Sequence, residues 1–402
     1  MLPRTASTVI VGGGIVGAAT AHFLADRGET DVLVIERGAL GSGTTAGGLG
    51  GIRHQFVDEL DVRLSLMASA FWREFEAFTG SAHAFEQRGY LFIVQTEEGL
   101  AQMREPLPLY ERLGVPVKML EQSDIAKLVP GLRTDDLSGG RFCATDGYGD
   151  APTALAGFAS AATLEGATFV EHTAVTEVVR DGDRVTGVRT SAGDVSAERV
   201  LLATGCWTSA LARTAGVEVP IWPYRRSIFE STPLPRLARI PMTIEWESGF
   251  HFRPSPRGGV TQRFAVPNIA SAGLIEKGPA SPPRSFDELT FPPLEVPPQL
   301  SPWARARAAH RHEAFADLTF ARSWSCYYEM TPDDHPIVGW VPGVRGLAIA
   351  AGFSGHGFMH TPATAQLIAE ELLDGKAHTL DISDLSLERF QSGRRPFTAT
   401  VL

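Results

Sequence analysis

Only three cysteines, Cys143, Cys206 and Cys326, occur in the 402 residues, far apart and with no C-x-x-C pair. That scarcity excludes a disulfide framework and any cysteine-only zinc site, and no metal is expected. Long basic runs are missing too. With 36 Lys+Arg against 46 Asp+Glu the formal charge is −10, which argues against non-specific binding to nucleic acid or anionic membranes. No stretch approaches the ~18–20 uninterrupted apolar residues of a membrane helix. The start, MLPRTASTVIVGGG, lacks the charged, apolar and cleavage regions of a signal peptide, so the expected location is cytoplasmic. No H-E-x-x-H and no Ser/His/Asp set is legible, which leaves hydrolase readings without support.

What is present suits a globular protein. Apolar residues make up 44% and charged residues 20%, enough for a full core. The length predicts two or three domains at roughly 150 residues each. Glycine (41) and proline (27) are in excess and predict many tight turns.

Thr8-Val9-Ile10-Val11 reads as a buried strand running into Gly12-Gly13-Gly14-Ile15-Val16-Gly17, a G-x-G-x-x-G turn with Gly12, Gly14 and Gly17 in register. A helix follows through Leu24, stopped near Gly28, and a second strand from Asp31 to Ile35 ends at Glu36. Gly12 permits the tight turn, Gly14 lets the backbone approach a pyrophosphate, and Gly17 allows close helix–strand packing. The phosphate charge would then meet free N–H groups at the helix start. Glu36 can accept hydrogen bonds from a ribose hydroxyl, and an acid there argues against a 2′-phosphate. Strand, turn, helix and acid together read as dinucleotide binding.

The turn alone leaves NAD and FAD open. The eleven residues Gly41–Gly51 hold six glycines directly after the acid, a flexible loop that fits a chain passing close to a large flat ring. A helical stretch from Asp58 to Phe78 follows, with Leu60, Leu64, Met67, Ala68, Phe71, Trp72 and Phe75 on one apolar face. Val200–Gly205 and Leu347–Gly352 are further strands ending in glycine, each followed by a helix. A nucleotide domain built from the start, middle and end of the chain is therefore discontinuous.

The segments VIVGGGIVGAATAHFLADRG, VLVIERG, GTTAGGLGGIRHQF, DGYGDAPTALAGFASAA, LLATGCW, YYEMTPDDHPIVG and AAGFSGHGFMHTPATAQLIAEEL occur in this order. They resemble the amino-acid-oxidase-type flavoenzymes, the superfamily of D-amino-acid oxidase, glycine oxidase and sarcosine oxidase/dehydrogenase. Within it the chain is similar to sarcosine oxidases and to catalytic subunits of sarcosine and proline dehydrogenases. The resemblance implies an α/β fold: a Rossmann-like FAD-binding domain from discontinuous segments (1–83, 143–219 and 331–402) and a substrate domain (84–142 and 220–330) on a mixed, largely antiparallel sheet. Gly89–Val94 and Gly249–Arg253 alternate as strands of such a sheet do. The proline-rich stretch Pro279–Pro302 reads as a surface loop, ordered or mobile.

The same resemblance implies the site. FAD would contact Gly12, Gly14, Ile15, Val16, Gly17, Glu36, Arg37, Gly43, Thr44, Thr45, Gly50 and Gly51 near the N-terminus. Val175, Thr204, Gly205, Trp207 and Cys326 would follow, then Gly352, Ser354, Gly355, His356, Gly357, Phe358 and Met359. Arg53 would lie near the flavin, holding a substrate carboxylate or stabilising the reduced ring, against the alternative of a surface ion pair. Tyr328 matches a tyrosine facing substrate, or is an aromatic core position. His356 precedes the last helix, either as a flavin contact or as a turn residue. Cys326 has the spacing of the cysteine that attaches FAD covalently in some sarcosine oxidases, while related dehydrogenase subunits carry a small residue there. Both a thioether and a packed thiol stay open. Where sarcosine oxidases have a lysine after GFSGHGF this chain has Met359, which argues against sarcosine itself. The implied reaction is oxidation of the CH–NH bond of a small amine or amino acid (sarcosine-, glycine- or proline-like) to an imine, with oxygen or an electron-transfer partner as acceptor. The rivals are a nicotinamide-dependent dehydrogenase and a flavoprotein subunit without turnover of its own.

Overall fold

A computed structural model of the chain describes all residues except 1, 83–84, 233, 235–238, 255–261, 267–280, 394–396 and 398–402. Its centre is an eight-stranded sheet. Strands Thr168–Val170, Val32–Ile35, Thr5–Val11, the end of Gly193–Leu202, and Leu347–Ala351 run parallel in that spatial order. Their sequences are nearly continuous Val, Ile, Leu and Ala, because both faces of a parallel sheet are covered. Val9, Ile10, Val34, Val200, Leu201, Leu347 and Ile349 have no exposure. Helices Ile15–Asp26 and Gly357–Asp374 pack side by side on one face, with Glu59–Arg73 against the latter.

Two backbone contacts explain the turn. Gly12 has φ +108°, and a Cβ there would sit 2.4 Å from the Ala203 carbonyl oxygen. At Gly17 a Cβ would meet the Gly12 carbonyl oxygen at 2.1 Å, so the helix lies directly on the turn.

The second sheet, also of eight strands, is antiparallel except where Tyr90–Val94 runs parallel to Met242–Glu245. In spatial order it comprises Phe320–Met330, Trp222–Ser231, Gln262–Val266, His251–Pro254, Met242–Glu245, Tyr90–Val94, Gly139–Cys143 and Val117–Leu120. One face packs on Phe229, Phe250, Phe252 and the helix Leu300–Arg311. The other forms a roof over the carboxyl ends of the parallel strands. A small third sheet joins Gly51–Ile52, Gly147–Gly149 and Phe85–Glu86.

Three sequence expectations change. The glycine loop is not irregular throughout: it contains a single helical turn, Thr44–Gly47, and ends in the strand Gly51–Ile52. The stretch 58–78 is two helices, Glu59–Arg73 and Phe75–Thr79, separated at Glu74. In the proline-rich stretch, residues 279–280 lie outside the described ones. The rest includes the one-turn 3-10 helix Phe286–Glu288, and Leu294 exchanges two backbone hydrogen bonds with Ser325 (2.8 and 2.9 Å) before a helix begins at Leu300.

That helix is tied to the roof by charge. Arg311, fully buried, donates from Nε to Glu245 on the strand Met242–Glu245 and from Nη1 and Nη2 to Asp136 at 2.7 and 3.1 Å. Arg307 also donates to Glu245. Removing Arg311 takes two hydrogen bonds from Asp136 and leaves the buried Glu245 with Arg307 as its one guanidinium partner. Arg311→Met should therefore lower the unfolding free energy by about 3–5 kcal/mol in denaturant titrations. A loss below about 1 kcal/mol, the range of exposed pairs, would show that the network does not anchor the roof.

Candidate active site

The carboxyl ends of the parallel strands open into two adjoining cavities, a larger and a smaller, that share Gly14, Thr44, Thr45, Ala203 and Gly205. Open α/β sheets bind ligands at this edge. The smaller cavity is lined by Gly12, Glu36, Arg37, Gly43, Val175, Thr204, Trp207 and Phe291 among others. Arg37 holds its guanidinium 5.4 Å from the Trp207 ring centre and 4.7 Å from that of Phe291, an aromatic slot. The Glu36 carboxylate accepts from Gly13 N and Gly38 N, both at 2.8 Å, which leaves lone pairs for two further donors.

The helix Ile15–Asp26 starts at Gly14 with no side chain capping it and no acid in its first turn. Thr45 Oγ1 accepts from Ile15 N at 3.1 Å, and the space a Gly14 Cβ would occupy meets only that oxygen, at 3.2 Å. A helix start that carries one threonine oxygen and no acid, beside open space, is a cradle for a pyrophosphate. An acid with free lone pairs, the cradle and the aromatic slot together fit an adenine dinucleotide.

The larger cavity is lined by Ile15, Val16, Gly50, Gly51, Arg53, Cys326, Tyr328, Gly355, His356, Gly357, Phe358 and Met359. The structure thus brings most of the expected residues to one continuous space. Gly17, Gly352 and Ser354 do not line it. Gly17 is consumed by packing on Gly12. Gly352 N donates to Glu329 Oε2 at 3.0 Å, and Ser354 Oγ accepts from Thr331 N at 3.2 Å, so both hold the wall from behind.

Arg53 is 5% exposed. Its Nη2 donates to His356 Nε2 at 3.3 Å, its guanidinium lies 4.5 Å from the Phe56 ring centre, and its Nε has no partner. It makes no ion pair among the described residues, which removes the surface-pair alternative. Burial and then the Arg53 charge hold His356 well below the ordinary imidazole range, so it is neutral and accepts from Arg53. His356 precedes the helix Gly357–Asp374, whose positive end faces the cavity beside Arg53.

Cys326 is 2% exposed, and its S–H donates to the Gly47 carbonyl at 3.4 Å. Burial pushes the thiol up to about 12, with Arg226 opposing only in part. Tyr328 packs on Gly355 and is pushed up to about 12 by burial, so its hydroxyl remains a donor at neutral pH.

A correction concerns Ser, His and Asp. Ser69, His54 and Asp146 do form a chain, with His54 Nε2 to Ser69 Oγ at 2.7 Å and His54 Nδ1 to Asp146 Oδ1 at 2.5 Å. All three are buried and none lines either cavity, so no substrate reaches Ser69. With Gln55 Nε2 donating to Asp146 Oδ2 at 2.9 Å, the chain pins the two residues after Arg53.

Sequence reasoning expected the roof sheet but missed most of the residues by which it faces the cavity. Tyr90, Met242, Ile244 and His251 line the larger cavity from the second sheet. His251 Nδ1 donates to the Gly249 carbonyl at 2.9 Å, and burial lowers the ring to about 4, so it is neutral with Nε2 as an acceptor. Glu329, between Gly205 and Gly352, is raised to about 7 by burial. Period-two alternation is the only signal these residues carry, and it does not distinguish a cavity wall from a core.

Comparison with known proteins agrees with this geometry. A family profile described as FAD dependent oxidoreductase matches residues 7–371. The chain is 28% identical to a 4-methylaminobutanoate oxidase (formaldehyde-forming) of Paenarthrobacter nicotinovorans over 97% of its own length, but spans only 46% of that protein. It is 28% identical to the glycine oxidase of Geobacillus kaustophilus, covering 94% of this chain and 96% of that one. The crystal structure of L-proline dehydrogenase from P. horikoshii superposes with a TM-score of 0.87 at 30% identity, over 98% and 99% of the two chains. Profile, relatives and fold converge: the chain belongs to the DAO family of FAD dependent oxidoreductases.

Proposed function

We propose that this chain oxidises the CH–NH bond of a small amino acid, with FAD along the two cavities and the substrate between Arg53 and the roof. The observation that carries the reading is the buried guanidinium of Arg53, without an acidic partner at the end of a dinucleotide-shaped space. Relatives named for methylaminobutanoate, glycine and L-proline all imply an amine next to a carboxylate-bearing chain. When bound, FAD supplies a two-electron acceptor, so that the substrate leaves as an imine, which water hydrolyses.

The protein's own groups orient and select. Gly12, Gly14, Glu36, Arg37, Thr44, Thr45 and Trp207 would hold the dinucleotide. Arg53, kept in place by His356 and Phe56, would take the substrate carboxylate bidentately. Neutral His251 can accept an N–H, and Tyr328 can donate, so the pair would seat an uncharged amine. Met242, Ile244 and Tyr90 exclude water above it. The positive end of the helix Gly357–Asp374 and Arg53 together favour negative charge at the cavity floor. Oxygen or an electron-transfer partner would serve as the final acceptor.

The test is anaerobic mixing of the yellow holoprotein with an amino-acid panel, read as loss of visible flavin absorbance. Arg53→Met should lower kcat/KM for an amino acid by the worth of a charge-assisted pair, about 1.5–3 kcal/mol, and much less for the amine lacking the carboxylate. Equal losses for both would assign Arg53 to the flavin instead.

The protonated, packed thiol of Cys326 supports non-covalent FAD, since a thioether requires a thiolate. Acid precipitation should leave a colourless pellet, and Cys326→Ser should keep its full FAD content. A yellow pellet with a mass increase of one FAD would overturn this.

A further inference from the structure

Arg53 is not the only buried guanidinium at the ring end. Arg226, on the strand Trp222–Ser231, stands directly opposite Cys326 in the antiparallel pairing, as Tyr224 stands opposite Tyr328. Opposed residues share a sheet face, so Arg226 lies on the face of the roof from which Cys326 and Tyr328 reach the cavity, beside these two rather than among the lining residues. It is 6% exposed, its guanidinium lies 4.9 Å from the Tyr328 ring centre, and its Nε has no hydrogen-bond partner. No acid pairs with it among the described residues. Asp334 acts on it only through space.

Both guanidiniums stand against rings of the cavity wall, Arg226 4.9 Å from the centre of Tyr328 and Arg53 5.8 Å from that of Tyr90. Both act electrostatically on His251 and on Tyr328, which places one positive region around a neutral imidazole and a protonated phenol. Met359 lines the same cavity where the family resemblance leads one to expect a lysine. The second cation comes instead from another element, the roof strand. Desolvated cations are strongly unfavourable unless an anion accompanies them, and among the described residues no acid forms an ion pair with either guanidinium. One carboxylate chelated by Arg53 would neutralise one of the two.

We propose that Arg226 is a substrate-binding residue that receives a second anionic group, so that the preferred substrate is an amino acid carrying a further carboxylate. The first carboxylate lies on Arg53 and the second on Arg226, while Met242, Ile244 and Tyr90 cover the carbon chain. This rests on the reading of Arg53 given above.

Succinate and butyrate, matched in length and differing by one carboxylate, test it on the oxidised holoprotein, with binding read by flavin absorbance change and by calorimetry. Succinate should bind at least about tenfold more tightly than butyrate, the scale of one added charge-assisted contact. R226Q should abolish that preference while leaving the butyrate Kd within about twofold, and R226K should retain part of it. FAD content and thermal midpoint establish that each variant is folded. Equal affinities in the wild type, or a preference that survives in R226Q, would overturn the proposal. So would an equal weakening of both ligands by R226Q, which would put Arg226 on the same carboxylate as Arg53. If butyrate binds but shows no dependence on Arg53, the reading of Arg53 falls with it.

Discussion

A guanidinium held out of water without an acid beside it is the constraint around which this molecule is arranged. An unpaired buried charge is destabilising by several kcal/mol, so Arg53 stays inside only because its surroundings leave it nowhere else to go. Phe56, Phe92 and Tyr90 present ring faces to it, and His356 offers a lone pair. The next two residues are fixed by the Ser69–His54–Asp146 chain and by Gln55, whose amide also donates to the Tyr90 carbonyl at 3.1 Å. The stabilisation lost at the cavity is recovered in fully bonded polar groups behind it.

Both halves of the architecture serve that arrangement. The parallel strands end together, so Gly12, Ala203 and the glycine after Leu347–Ala351 present little more than backbone at one edge, with the Glu36 carboxylate among them. The glycine loop then carries the chain from Glu36 to Arg53 under Cys326. A Cβ at Gly47 would lie 2.3 Å from the Cys326 sulfur, so loop and roof touch there without a side chain between them. The roof is fastened at its far end by Arg311 and Glu245, on the same strand that brings Met242 and Ile244 over the cavity. Among the described residues no helix is long and apolar enough to cross a membrane.

What could be read in the sequence follows from how local each feature is. The strand, turn, helix and acid from Thr8 to Glu36 are contiguous, and steric rules at Gly12 and Gly17 dictate them. Leu347–Gly352 and the helix after His356 were equally legible, because continuous apolar runs bounded by glycine mark buried parallel strands. The cavity face of the roof was not. Met242, Ile244, His251 and Arg226 sit on strands whose partners are distant in sequence, and only the pairing of Trp222–Ser231 with Phe320–Met330 sets Arg226 opposite Cys326. The Ser69–His54–Asp146 chain escaped for the same reason: its members come from a helix, a loop and a turn. Met359 is legible as a missing cation, but the sequence alone carries no sign that a guanidinium on another strand stands beside Cys326 and Tyr328.

The most direct test of this account is a crystal structure of the FAD-loaded protein with a bound monocarboxylate. The carboxylate should lie against Arg53, with N–O distances of about 2.7–2.9 Å to its guanidinium, and Arg53 should keep its contact with His356. A carboxylate bound elsewhere, with Arg53 turned to pair with an acidic side chain, would contradict the claim that this charge is left unpaired for the substrate.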